Sequence, residues 1–274
     1  MRKKTPDDSM NEGLNQVTRH RTRAGKTASG EQKSIKPKFV EERAAKIYPL
    51  EAKTPNQKKY IDLLKSKTVV CASGSSGVGK TFVAAVYAAN EFLKGNFNQI
   101  VLLRPVEPVS GKTLGYRPGT VGEKLFEAYQ SMYEPLRIVF GPQHFDYLID
   151  KGDITPLAIE MVRGRSFYKS IIIVDEASNC DIKTIKTLVS RVGEGSQLVI
   201  CGDQASWQQD IKGDSGLVWL MDTIHKVRKD NPDWLNEEDK HHLYNEIGFV
   251  NFTKEDVVRS GISSLFVKIF DEYE

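Results

Sequence analysis

Thr68-Val69-Val70-Cys71-Ala72, followed after Ser73 by Gly74-Ser75-Ser76-Gly77-Val78-Gly79-Lys80-Thr81, is the stretch that decides the fold. The first five residues form an apolar run of strand length without polar alternation, the mark of a strand covered on both faces. The next eight fit G-x-x-x-x-G-K-[ST], and Phe82–Leu93 carries helical periodicity, so the pattern stands at a strand-to-helix turn. In that setting the glycines let the backbone wrap phosphate groups with its N–H groups turned inward. The following helix N-terminus adds partial positive charge. Lys80 is expected to reach the β- and γ-phosphates and Thr81 to place its hydroxyl on Mg2+. The ligand implied is a nucleoside triphosphate, with ATP the first choice.

Working outward, three more apolar runs repeat the strand signal at Ile100–Leu103, Ile171–Val174 and Leu198–Cys201. Between them, helical spacing covers Glu123–Phe140, Asp181–Val192 and Gly216–Val227, while Thr54-Pro55 reads as a capped helix start running on through Leu64. Strands alternating with helices predict an α/β fold with a mostly parallel sheet, helices on both faces, and ligands at the C-terminal strand ends. Two of those ends carry acids. Ile171-Ile172-Ile173-Val174 delivers Asp175-Glu176, with Asp175 expected to hold Mg2+ through water and Glu176 to polarise the attacking water. Leu198-Val199-Ile200-Cys201 delivers Gly202-Asp203, where Asp203 suits a γ-phosphate sensor or, read alone, an ordinary strand-to-loop turn.

The chain has 274 residues, 39% hydrophobic and 27% charged, enough to bury a full core. Its net charge of +3 is unevenly placed: Met1–Ile47 holds twelve bases against six acids, +6, which leaves −3 for the remainder. Residues 1–43 are expected to form a disordered basic arm, because they have too few large apolar side chains to offset ordering entropy. That arm reads either as a solubilising tail or as an attractor of nucleic acid. Residues 44–274 then form one ATPase domain. Cys71, Cys180 and Cys201 make no C-x-x-C pair and read as small buried thiols, and His241-His242 has no Cys or His partner at ligand spacing. No apolar run approaches a membrane span and no secretory signal opens the chain, so a cytoplasmic location is expected.

Read together, these motifs resemble the PhoH-like ATPases, P-loop proteins related to superfamily 1 helicases, from about Thr54 onward. The matching segments beyond the phosphate loop are Arg104-Pro105, Leu114-Gly115-Tyr116-Arg117-Pro118-Gly119, Glu123-Lys124, Arg163-Gly164-Arg165-Ser166, Asp175-Glu176-Ala177-Ser178-Asn179, Gly202-Asp203, Ser215-Gly216-Leu217 and Asp256-Val257-Val258-Arg259. The resemblance implies a RecA-like core, Mg2+-dependent ATP hydrolysis, and assembly into a homo-oligomeric ring such as a hexamer. It also makes Arg163, Arg165 and Arg259 the candidates for an arginine that completes a neighbour's site. By analogy with helicases, Gln57 is a candidate reader of the adenine edge, and it reads equally well as an exposed helix residue. Family members commonly carry Gly-Asp-x-x-Gln, whereas this chain has Ser206 at the glutamine position, with Gln204, Gln208 or Gln209 nearby as substitutes.

The function expected first is an ATPase acting on single-stranded RNA or DNA, with Tyr116 and Arg117 as stacking and backbone contacts. Tyr116 reads equally well as a loop aromatic packed on the core. A nucleotide-switched assembly protein that ignores nucleic acid is the alternative. A small-molecule kinase fits less well, because Glu176 is placed to activate water rather than an acceptor hydroxyl.

Overall fold

Among the described residues, six short strands form one sheet, all of them parallel. The computed structural model describes residues 46–105, 127–203 and 214–258, together with Gly261, Ile262, Leu265, Phe266 and Ile269. The expected basic arm, the segment with Tyr116 and Arg117, Arg259, and the glutamines around Ser206 lie outside the described residues.

The strands are β1 (Val69–Ser73), β2 (Gln99–Arg104), β3 (Ile154–Ala158), β4 (Ser170–Val174), β5 (Gln197–Gly202) and β6 (Ile247–Asn251). They lie in the order β3-β2-β4-β5-β1-β6. The helices are α1 (Pro55–Ser66), α2 (Lys80–Leu93), α3 (Gln130–Phe140), α4 (Pro142–Lys151), α5 (Ile182–Val189), α6 (Gly216–Asp230) and the short α7 (Glu237–His241). This is the α/β, RecA-like P-loop architecture the sequence predicts. Thr54 caps α1 as expected, its hydroxyl accepting the Gln57 N–H at 3.2 Å with Pro55 at the first position.

Alternate residues along each inner strand divide between two cores. Val70, Ala72, Ile100, Leu102, Ile171, Ile173, Val199 and Cys201 face α1, α2, α3 and α4. Cys71, Val101, Leu103, Ile172, Val174, Leu198 and Ile200 face α5 and α6. All three cysteines are buried and none is in a disulfide, as their apolar neighbours imply. Burial pushes the Cys71 and Cys201 thiols up to about 12, so both stay neutral.

Two strands and two helices go beyond the sequence expectation: β3, β6, α4 and the short α7. Over the span expected to be helical from Glu123, the regular helix α3 begins only at Gln130, and the first residues of that span are not among those described. Among the described residues no helix is long and apolar enough to cross a membrane.

Candidate active site

The phosphate loop leaves the end of β1 and turns into α2 at Lys80. Three of its glycines, Gly74, Gly77 and Gly79, hold positive φ angles of 146°, 89° and 91° that L side chains rarely adopt. Gly74 also passes so close to the chain after β6 that a Cβ there would lie 2.6 Å from Phe252 Cβ. The loop is fastened from three sides. Gly74 N–H donates to Gly202 O at 3.3 Å, Val258 N–H donates to Gly77 O at 3.2 Å, and Gln57 Nε2 donates to Val78 O at 2.9 Å.

Gln57 is buried, and its amide oxygen accepts the Lys53 N–H at 2.7 Å, so both ends of the amide are engaged inside the protein. The structure therefore brings Gln57 to the site as a strut beneath the loop. Lys80 folds its ammonium back onto the carbonyls of Gly74 and Ser75. Burial pushes that ammonium below its usual value, while Asp203, Asp175 and Glu176 nearby oppose the fall.

Strand order brings the acids to the loop. β5 lies between β1 and β4, with Ser73 level with Gly202 and Val174 level with Ile200. The three strand ends therefore present Lys80, Asp203 and Asp175-Glu176 along one edge. Asp175 is buried. Its Oδ1 accepts the Thr81 hydroxyl at 2.7 Å and its Oδ2 accepts the Ser131 hydroxyl at 2.7 Å. A hydroxyl and a carboxylate in contact at the mouth of a phosphate loop are the hard oxygen donors that Mg2+ takes, so these residues fit that ion.

Glu176 follows with φ 55°, a left-handed turn that separates its side chain from that of Asp175. Burial and the Asp175 charge push its carboxyl above the usual range, against the pull of Arg104 and Lys80. Arg104, at the end of β2, places Nη2 3.4 Å from Glu176 Oε1 and donates from Nη1 to Ala128 O at 2.6 Å. Asp203 is buried, and its N–H donates to the Ser178 hydroxyl at 3.3 Å, which ties the segment after Glu176 to the end of β5.

Arg163 and Arg165 stand apart from this cluster. Both are exposed, in the connection between the 3-10 turn Ile159–Val162 and β4. They follow β3, the sheet edge separated from β1 by β2, β4 and β5. Ser131 is a site residue that the sequence reading missed. Nothing around it but helical spacing marks it, and its partner lies 44 positions away.

Residues 49–271 match the family model described as PhoH-like protein. The chain is 30% identical over 224 residues to a PhoH-like protein of Mycobacterium leprae (strain TN), covering 81% of this chain and 58% of that protein. It is 27% identical over 230 residues to a PhoH-like protein of Bacillus subtilis (strain 168), covering 83% and 66%. With Protein PhoH of Escherichia coli (strain K12) it shares 29% over 218 residues, covering 78% and 56%. The chain thus spans well under two thirds of the length of two of these relatives and about two thirds of the third. Its glycine loop, its paired strand-end acids and a family match over most of its length place it together: the chain belongs to the PhoH-like proteins, a P-loop ATPase family.

Proposed function

We propose that this domain binds ATP with Mg2+ and hydrolyses it, and that hydrolysis is coupled to binding or remodelling of single-stranded RNA or DNA. The observation that carries the hydrolysis reading is the 2.7 Å contact between Thr81 and Asp175 beside a second acid, Glu176. A bound Mg2+ would supply neutralisation of the charge on the β- and γ-phosphate oxygens. Thr81 and Asp175 hold that position. Lys80 exchanges the carbonyls of Gly74 and Ser75 for phosphate oxygens, and the N-terminus of α2 adds its partial charge. Glu176 takes the proton of the attacking water, a role suited to a carboxyl raised toward the working pH. Asp203, between the two halves of the site, senses the γ-phosphate.

Support for a nucleic-acid partner comes from the basic excess of Met1–Ile47 and from the helicase-like motif set. A homo-oligomeric ring, with an arginine reaching a neighbour's site, fits the exposure of Arg163 and Arg165 outside the cluster of Lys80, Asp175, Glu176 and Asp203. It also fits Ile262, Leu265, Phe266 and Ile269, exposed apolar residues at the spacing of one helix face.

Hydrolysis by the purified protein, measured alone and with a panel of RNA and DNA strands, tests the proposal. Lys80→Ala is expected to abolish tight triphosphate binding and turnover together, and normal hydrolysis by that variant would defeat the reading. Stimulation by single strands supports coupling. Hydrolysis indifferent to every strand favours the alternative, a nucleotide-switched assembly protein.

A further inference from the structure

The Asp175 carboxylate receives one hydroxyl on each oxygen, and the two hydroxyls come from different helices, α2 and α3. Thr81 belongs to the first turn of α2 and travels with the phosphate loop. Ser131 belongs to the first turn of α3, which packs on α2 and is also tied to β3 and α4. Tyr129, fully buried, donates its O–H to Leu157 O in β3 at 2.6 Å. Met132 and Tyr133 are buried in the core beneath, and the Tyr133 ring meets that of Phe145 at 5.1 Å. Ser131 itself is exposed, so packing does not explain the serine.

Rotation of an aspartate about its last torsion is soft and nearly two-fold, and a carboxylate held at one oxygen keeps that freedom. Held at both oxygens, its plane is fixed. From this geometry we propose that Ser131 is a positioning residue for the Mg2+ site. It presets the plane of the Asp175 carboxylate from a second helix, while Thr81 holds the other oxygen from α2. The inference rests on the reading of Thr81 and Asp175 as the Mg2+-holding pair. Partners that orient a metal ligand are worth roughly 10- to 100-fold in metal affinity when removed.

Binding of a fluorescent ATP analogue, titrated with Mg2+ in the wild type, Ser131→Ala and Ser131→Thr, reads this directly without turnover. In Ser131→Ala the Mg2+ half-saturation is expected to rise about 10- to 100-fold, at unchanged affinity for the analogue in EDTA, with most of the loss recovered in Ser131→Thr. Equal half-saturation in Ser131→Ala and wild type overturns the proposal. So does an equal loss of affinity in EDTA, which marks damage to the loop rather than to metal positioning. A wild type whose binding ignores Mg2+ defeats the parent reading as well, which separates the two failures. Should Ser131→Ala not fold, Ser131→Cys keeps the size, weakens the donor and takes its place under the same criteria.

Discussion

At the residue scale, adjacent carboxyls at the end of β4 have been given different work by their surroundings. Asp175 is buried with both oxygens occupied, whereas the Glu176 side chain is 43% exposed and turned toward Arg104. Glu176→Gln is therefore expected to keep nucleotide affinity while turnover falls roughly 10²- to 10⁴-fold. Loss of affinity of the same size would remove Glu176 from the chemical step. The sign of the pH effect follows from its raised carboxyl: below that value it is protonated and cannot accept the water's proton. The acid limb of the rate profile should accordingly lie above the ordinary glutamate range and disappear in Glu176→Gln. The loop from Gly74 to Thr81 and both acids were legible in the sequence, because each sits in a local strand-and-turn pattern. Ser131 was not legible, nor was the bond from the Gln57 amide to Val78. Both of these contacts reach partners well along the chain, and no local pattern encodes such a pairing.

At the scale of elements, the strands that could be read and those that could not differ in position. The four predicted strands are inner ones, covered by helices on both faces and spelled as unbroken apolar runs. The two missed strands are the sheet edges. β3 contains Pro156, which an edge strand tolerates. β6 contains Gly248, where a Cβ would lie 2.7 Å from Leu63 Cδ2 of α1, so close approach of the helix has displaced a strand-forming residue. Close approach also governs the start of α6. A Cβ on Gly216 would lie 2.5 Å from Asp181 O and 2.6 Å from Ile185 Cγ1. Alanine in place of glycine ordinarily favours a helix by about 0.5–1 kcal/mol, but overpacking costs about 1–3 kcal/mol. Gly216→Ala should therefore destabilise, seen as a lowered urea midpoint at unchanged slope. A raised midpoint would show that α6 can shift away without penalty.

On the scale of the whole molecule, the proposed ring depends on apolar residues that are exposed in the single chain. Ile262, Leu265, Phe266 and Ile269 are 66%, 51%, 49% and 39% exposed, and apolar residues gathered on one helix face, unlike ones scattered singly, mark an interaction surface. Leu265→Glu with Phe266→Glu is expected to shift sedimentation toward smaller species while far-ultraviolet circular dichroism is retained. Undiminished assembly in that variant would exclude this face as the contact.

The chain after β6 crosses back over the phosphate loop, with Phe252 N–H donating to Ser73 O at 2.7 Å and Val258 N–H to Gly77 O at 3.2 Å. A ribosome making this protein emits the loop roughly 180 residues before it emits the segment that fastens it. At about 5–20 residues per second that is an interval on the order of 10–40 s. Throughout that interval the nascent chain carries a complete glycine motif without the two bonds from Phe252 and Val258, so the loop is expected to take its final shape only late in synthesis.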